Sequence, residues 1–74
     1  MFKVGDRVKI IKNICSEMYE KYVGTEHEIV GVDKENLFPY TLPIYAITDD
    51  GKEVKTVFTH WVDEELELVN NEKN

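Results

Sequence analysis

The chain has 74 residues, 42% hydrophobic and 32% charged, the balance of one soluble globular domain rather than a disordered segment. Its net charge of −6 opposes polyanions, because phosphate backbones dominate non-specific nucleic-acid affinity and only a local gathering of cations would offset the field. The single cysteine, Cys15, excludes an internal disulfide, no Cys/His spacing suggests structural zinc, and no apolar run approaches the about 18 residues of a membrane span.

The opening MFKVGDRV carries charges and no apolar core of a signal peptide, so the expected location is cytoplasmic. Gly5-Asp6 is a turn signal. After it, Val8 and Ile10 alternate with Arg7 and Lys9, which predicts a first strand with Val8 and Ile10 inward. The pair Ile10-Ile11 breaks the alternation and predicts a bulge or a two-sided environment. Lys3, Arg7, Lys9 and Lys12 make this segment basic.

Residues 15–26, CSEMYEKYVGTE, support two readings. Ser16 could cap a helical turn or two, with Met18 and Tyr22 on one face and Gly24 as the stop. A partly ordered loop fits equally well. Glu28 to Asp33, EIVGVD, reads as a second strand, where Gly31 marks a bulge or a close backbone approach. Residues 34–43 read as a connection punctuated by Pro39 and Pro43, with Leu37, Phe38, Tyr40 and Leu42 clustered around them.

Asp50-Gly51 predicts a hairpin with a type I′ turn. Counting outward pairs Asp49 with Lys52, Ile47 with Val54 and Tyr45 with Thr56. Tyr45, Ile47, Val54 and Phe58 then share one face, read as inward, and Thr48, Glu53 and Lys55 the other. A short turn from His60 to Glu65 precedes a last strand at Leu66-Glu67-Leu68, and the residues after it form a polar, disordered tail over 71–74. The domain thus occupies residues 1–70. Its fold class is all-β: a small five-stranded barrel with a 3₁₀ or helical turn before the last strand.

The opening GDRVKIIKN, Gly24-Thr25 leading into EIVGV, the DDG hairpin and the closing WVDEELELV resemble the small SH3-like barrel proteins of Gram-positive bacteria and their phages. The prophage-encoded YorP family is the nearest of these, and the resemblance covers almost the whole chain. It implies an SH3-like barrel without an assigned activity. The VGDRV opening is also similar to KOW-type RNA-binding segments, although His27 stands where those carry a glycine.

Nothing in the chain forms a catalytic signature. His27 and His60 lie outside any triad spacing, Cys15 has no motif around it, and the four glycines are scattered as turn punctuation. The expectation is a non-enzyme with no cofactor and no metal. The acidic run Asp63-Glu64-Glu65 is expected to cap a 3₁₀ turn and face solvent.

The aromatic residues carry the functional expectation. Tyr45 and Phe58 are expected in the core, whereas Tyr19, Tyr22, Phe38, Tyr40 and Trp61 fall in connections that cluster on one side of an SH3-like barrel. They are the candidate partner-binding residues, unless they serve only as a lid on a small core. Trp61 is expected to be half-buried against Tyr40 or Tyr19. Glu17, Glu20, Asp63 and Glu64 around it would favour a ligand with Arg, Lys or proline. The expected protein is therefore a monomeric interaction module that binds a protein or peptide and neither touches a membrane nor binds nucleic acid. The alternative is a nucleic-acid accessory using the basic first strand.

Overall fold

The computed structural model describes residues 1–14 and 17–69; the Ser16 cap and the tail over 70–74 lie outside them. Two three-stranded antiparallel sheets make up the fold. The first has the order β2-β1-β6, with β1 at Arg7–Ile10, β2 at Glu26–Glu28 and β6 at Leu66–Leu68. The second has the order β3-β4-β5, with β3 at Gly31–Val32, β4 at Tyr40–Ile47 and β5 at Val54–Trp61.

The first strand follows its pattern: Val8 and Ile10 are fully buried, and Arg7 and Lys9 face out. Gly5 holds φ at +97°, and the Asp6 carboxylate accepts the Lys3 N–H at 3.0 Å, which closes the turn into the strand. At Ile10-Ile11 the strand stops, and the Ile11 N–H donates to the Glu65 carbonyl at 2.8 Å.

The expected second strand is split between the sheets. The Ile29 N–H donates to Asp6 O and Ile29 O accepts from the Gly5 N–H, both at 2.9 Å, on the first-sheet side. One residue on, the Val30 N–H donates to Thr41 O at 3.0 Å, in the second sheet. Ile29 is fully buried at this crossing. Gly31 lies opposite Thr41, where an added Cβ would stand 3.4 Å from the Thr41 side chain, in keeping with a close approach.

Residues Glu17–Tyr22 form a 3₁₀ helix. A 3₁₀ turn has three residues, so positions i and i+3 eclipse. Tyr19 and Tyr22 therefore share the inward side, half-buried against the core, and Met18 faces out, contrary to the Met18–Tyr22 pairing of an α-helical turn. Gly24 at φ +99° ends the segment and donates its N–H to Ile10 O at 2.7 Å.

The hairpin departs most from expectation. Its register is as counted, with Ile47 opposite Val54 and Tyr45 opposite Thr56. The turn, however, is not type I′, since that needs two positive φ values and only Gly51, at +72°, has one. Instead the Gly51 N–H donates to Thr48 O at 2.8 Å, and the Asp50 carboxylate accepts from the Thr48 hydroxyl at 2.6 Å and the Lys52 N–H at 2.9 Å. Those two donors, the hydroxyl first, hold Asp50 below the usual carboxylate range.

The inward face is also the opposite one. Strand β4 begins at Tyr40, four residues before the expected start at Ile44, and buries Tyr40, Leu42 and Ile44. Cross-strand pairing puts Thr59 and Trp61 of β5 on the same buried side. Tyr45, Ile47, Val54 and Phe58, expected inward, are 65%, 69%, 69% and 59% exposed. Pro43 fits inside β4 because β3 pairs only with Tyr40 and Thr41. The missing N–H of Pro43 points past the end of β3, where no ladder bond is lost.

Val8, Ile10, Ile29, Tyr40, Leu42, Ile44, Trp61 and Leu66 make the core, and Phe2, Tyr19, Tyr22, Val23 and Val32 pack around it. A second 3₁₀ helix, Asp63–Glu65, leads into β6 as expected. Its third residue is a correction: Asp63 and Glu64 are exposed, but Glu65 is completely buried. Its carboxylate accepts the Ile14 N–H at 2.8 Å and the Val62 N–H at 3.1 Å, which ties the segment after β1 to the turn before β6. No helix among the described residues is long and apolar enough to cross a membrane.

Candidate functional site

The five aromatic residues expected on a loop face do not form an open groove. Trp61 is 1% exposed, not half-buried, and Tyr40 is 2% exposed. The indole N–H, which a small core would struggle to satisfy, donates to the Thr59 hydroxyl at 2.7 Å. That hydroxyl donates in turn to Leu42 O at 3.2 Å. Thr59 is thus the polar partner that makes burial of Trp61 possible.

Tyr19 packs on Trp61 with ring centroids 5.6 Å apart and on Tyr22 at 6.1 Å, so both tyrosines cover the core. Tyr40 meets Phe2 edge-on at 5.3 Å, and its hydroxyl accepts the Phe2 N–H at 3.3 Å. Burial pushes the Tyr40 phenol up, which leaves it a neutral structural group. Phe38 is half-buried in the turn before β4, where its N–H donates to the Asn36 side chain.

The outer face of the hairpin offers what the loop face does not. Pro43 lies opposite Phe58, Tyr45 opposite Thr56, and Ile47 opposite Val54, so five apolar side chains line one side of a two-stranded ribbon. A contiguous patch of this kind marks an interaction surface more than a scatter of single exposed residues does. Beside it a cleft of about 450 Å³ opens between β4 and β2, walled by Val30, Pro43 and Tyr45 and rimmed by Arg7, Glu26, His27 and Glu28. Both parities of β5 carry apolar residues, which is why alternation alone could not identify this face. The Tyr40-Leu42-Ile44 alternation is the signal the sequence carries for the buried face, masked by Pro39 and Pro43, which mark a connection.

The first-strand cations are fenced by acids. Arg7 lies opposite Glu28 and holds Glu26 at 3.6 Å, while Lys9 sits between Glu26 on β2 and Glu67 on β6. Lys3 pairs with Asp6 at 3.1 Å. A phosphate approaching this sheet would meet the carboxylates together with the cations.

His27 is half-buried in the cleft rim, with its Nε2 2.7 Å from the Thr25 hydroxyl. Burial first, and the Arg7 charge second, hold its pKa below the ordinary 6.5. A depressed histidine pKa means that the unfolded chain binds more protons around pH 6, so this contribution to stability is whole above about pH 6.5 and declines as pH falls through that value toward the folded pKa. The unfolding free energy of the native chain should therefore fall between about pH 7 and 5 relative to His27→Gln. Parallel pH profiles for the two proteins would show that His27 is not held neutral by the fold.

Among the described residues, no three His, Cys, Asp or Glu side chains gather as a metal-binding cluster. Comparison of the chain with protein-family models, with curated proteins and with solved structures finds no match.

Proposed function

We propose that the chain is a small SH3-like barrel of phage or prophage type, acting as a non-catalytic interaction module that binds an extended, basic segment of a partner protein. The barrel reading is supported by the sheet orders β2-β1-β6 and β3-β4-β5, by the strand that crosses between them at Ile29-Val30, and by the 3₁₀ turn before β6. The observation that carries the binding reading is the cleft between β2 and β4 with the apolar ribbon beside it. Tyr45 and Pro43 offer flat apolar walls for a side-chain stem. Glu26 and Glu28 outnumber Arg7 at the rim, which favours a Lys or Arg head on that stem. The net charge of −6 adds long-range attraction for such a segment.

A panel of short extended peptides with Lys or Arg beside apolar residues, titrated against isotope-labelled protein, tests this reading. Binding should shift the amide signals of Val30 and Tyr45 and be lost in Tyr45→Ser, whose unfolding midpoint should stay within about 0.5 kcal/mol of the native chain. Binding that survives Tyr45→Ser would sink the reading. So would preference for a duplex oligonucleotide at physiological salt, which would restore the nucleic-acid alternative.

A further inference from the structure

The edge of β5 is a second surface, independent of the cleft. Among the described residues, strand β5 pairs with β4 on one side only, and it is eight residues long. The Thr48 N–H donates to Glu53 O at 2.9 Å, so Thr48 and Glu53 are a hydrogen-bonded pair. Alternation from there puts the N–H and C=O groups of Val54, Thr56, Phe58 and His60 on the outer edge. Of the usual protections of such an edge, VKTVFTHW carries a single lysine, Lys55, and no proline, and its residues favour strands.

We infer that two copies of this chain pair antiparallel through β5, about a two-fold axis at Thr56, into one six-stranded sheet of order β3-β4-β5-β5-β4-β3. In that register Thr56 faces its counterpart, Val54 faces Phe58 of the second copy on the outer side, and Lys55 faces Val57 of the second copy on the other. Each is an allowed pair, the aromatic with a β-branched residue being a favourable one, and no like charges stand directly opposite, the two Lys55 side chains being diagonal neighbours. Charge selects the same edge. The chain carries fifteen acids, yet none lies in β5, so two copies of net charge −6 approach with least repulsion here. Val54 and Phe58 of each copy meet across the axis on the outer face, so the apolar ribbon of one copy continues into that of the other. The cleft lies along the opposite edge of the hairpin and remains open, so the dimer presents two clefts on one side of its sheet and could engage a repeated partner segment with avidity.

Sedimentation of the full chain from about 1 to several hundred micromolar, a range that covers weak self-association, is the test. A monomer–dimer equilibrium is expected. Thr56→Pro removes an outward N–H that makes no bond to β4 and should abolish the dimer. Val57→Lys opposes Lys55 of the second copy twice and should weaken the dimer about tenfold or more. Adding Lys55→Glu to Val57→Lys should restore it, a rescue that a merely unfolded variant cannot show. Circular dichroism checks that each variant folds. A monomer throughout the range overturns the proposal, as does a dimer indifferent to both Thr56→Pro and Val57→Lys.

Discussion

Trp61→Ala is expected to cost about 3–5 kcal/mol, the range for removing a fully buried large aromatic and leaving a cavity. Trp61 is the largest fully buried side chain: Tyr19 of the 3₁₀ helix packs on its ring, and its N–H donates to the Thr59 hydroxyl. Small domains have total stabilities of about 5–15 kcal/mol, so the variant should be close to unfolded at room temperature. Urea denaturation followed by circular dichroism measures this without the lost fluorophore. Trp61→Phe keeps much of the ring packing and should cost less. In the native chain, emission should be that of an apolar site and resist acrylamide. A Trp61→Ala midpoint within 0.5 kcal/mol of the native chain, well below any core substitution, would return Trp61 to the surface.

The second large effect is expected at Glu65. A completely buried carboxylate is costly unless its oxygens are bonded, and here they accept the Ile14 and Val62 N–H groups. Glu65→Ala removes both acceptors at once, and each stranded donor costs about 1–3 kcal/mol. The expected loss is therefore about 2–6 kcal/mol in a urea titration. Glu65→Gln keeps one acceptor oxygen and should fall between the two. Neighbouring Glu64→Ala, on the exposed side of the same turn, should change stability by less than about 0.5 kcal/mol. Equal effects at Glu64 and Glu65 would contradict the burial that sets them apart. Amide hydrogen exchange adds a local readout: protection at Ile14 should fall first in Glu65→Ala, because that N–H has its acceptor in the substituted side chain.

The first and last strands, the hairpin register and the acidic turn before the last strand are determined by the sequence alone, because each depends on neighbours within a few residues. Asp50-Gly51 centres the hairpin, and counting outward from it sets Ile47 opposite Val54, a register that the observed loop closed by the Thr48 N–H to Glu53 O bond keeps. Val8 and Ile10 alternate cleanly with charges, so their side is unambiguous. The hairpin's inward face is different. Residues Val54 and Phe58 on one side compete with Val57 and Trp61 on the other, and a period of two cannot rank two apolar faces. Only the packing of β4 over β1 and Ile29 decides, by burying Tyr40, Leu42 and Ile44 and thereby turning Tyr45 and Phe58 outward. The turn type was likewise settled by side chains, once the Asp50 carboxylate bonded Thr48 and Lys52. Glu65 is the clearest case. Its neighbours Asp63 and Glu64 predict a solvated acid, and nothing local distinguishes it from them. Its partner at Ile14 lies 51 residues earlier in the chain, and only closure of the fold brings that unpaired N–H to a carboxylate that can be buried because it is bonded.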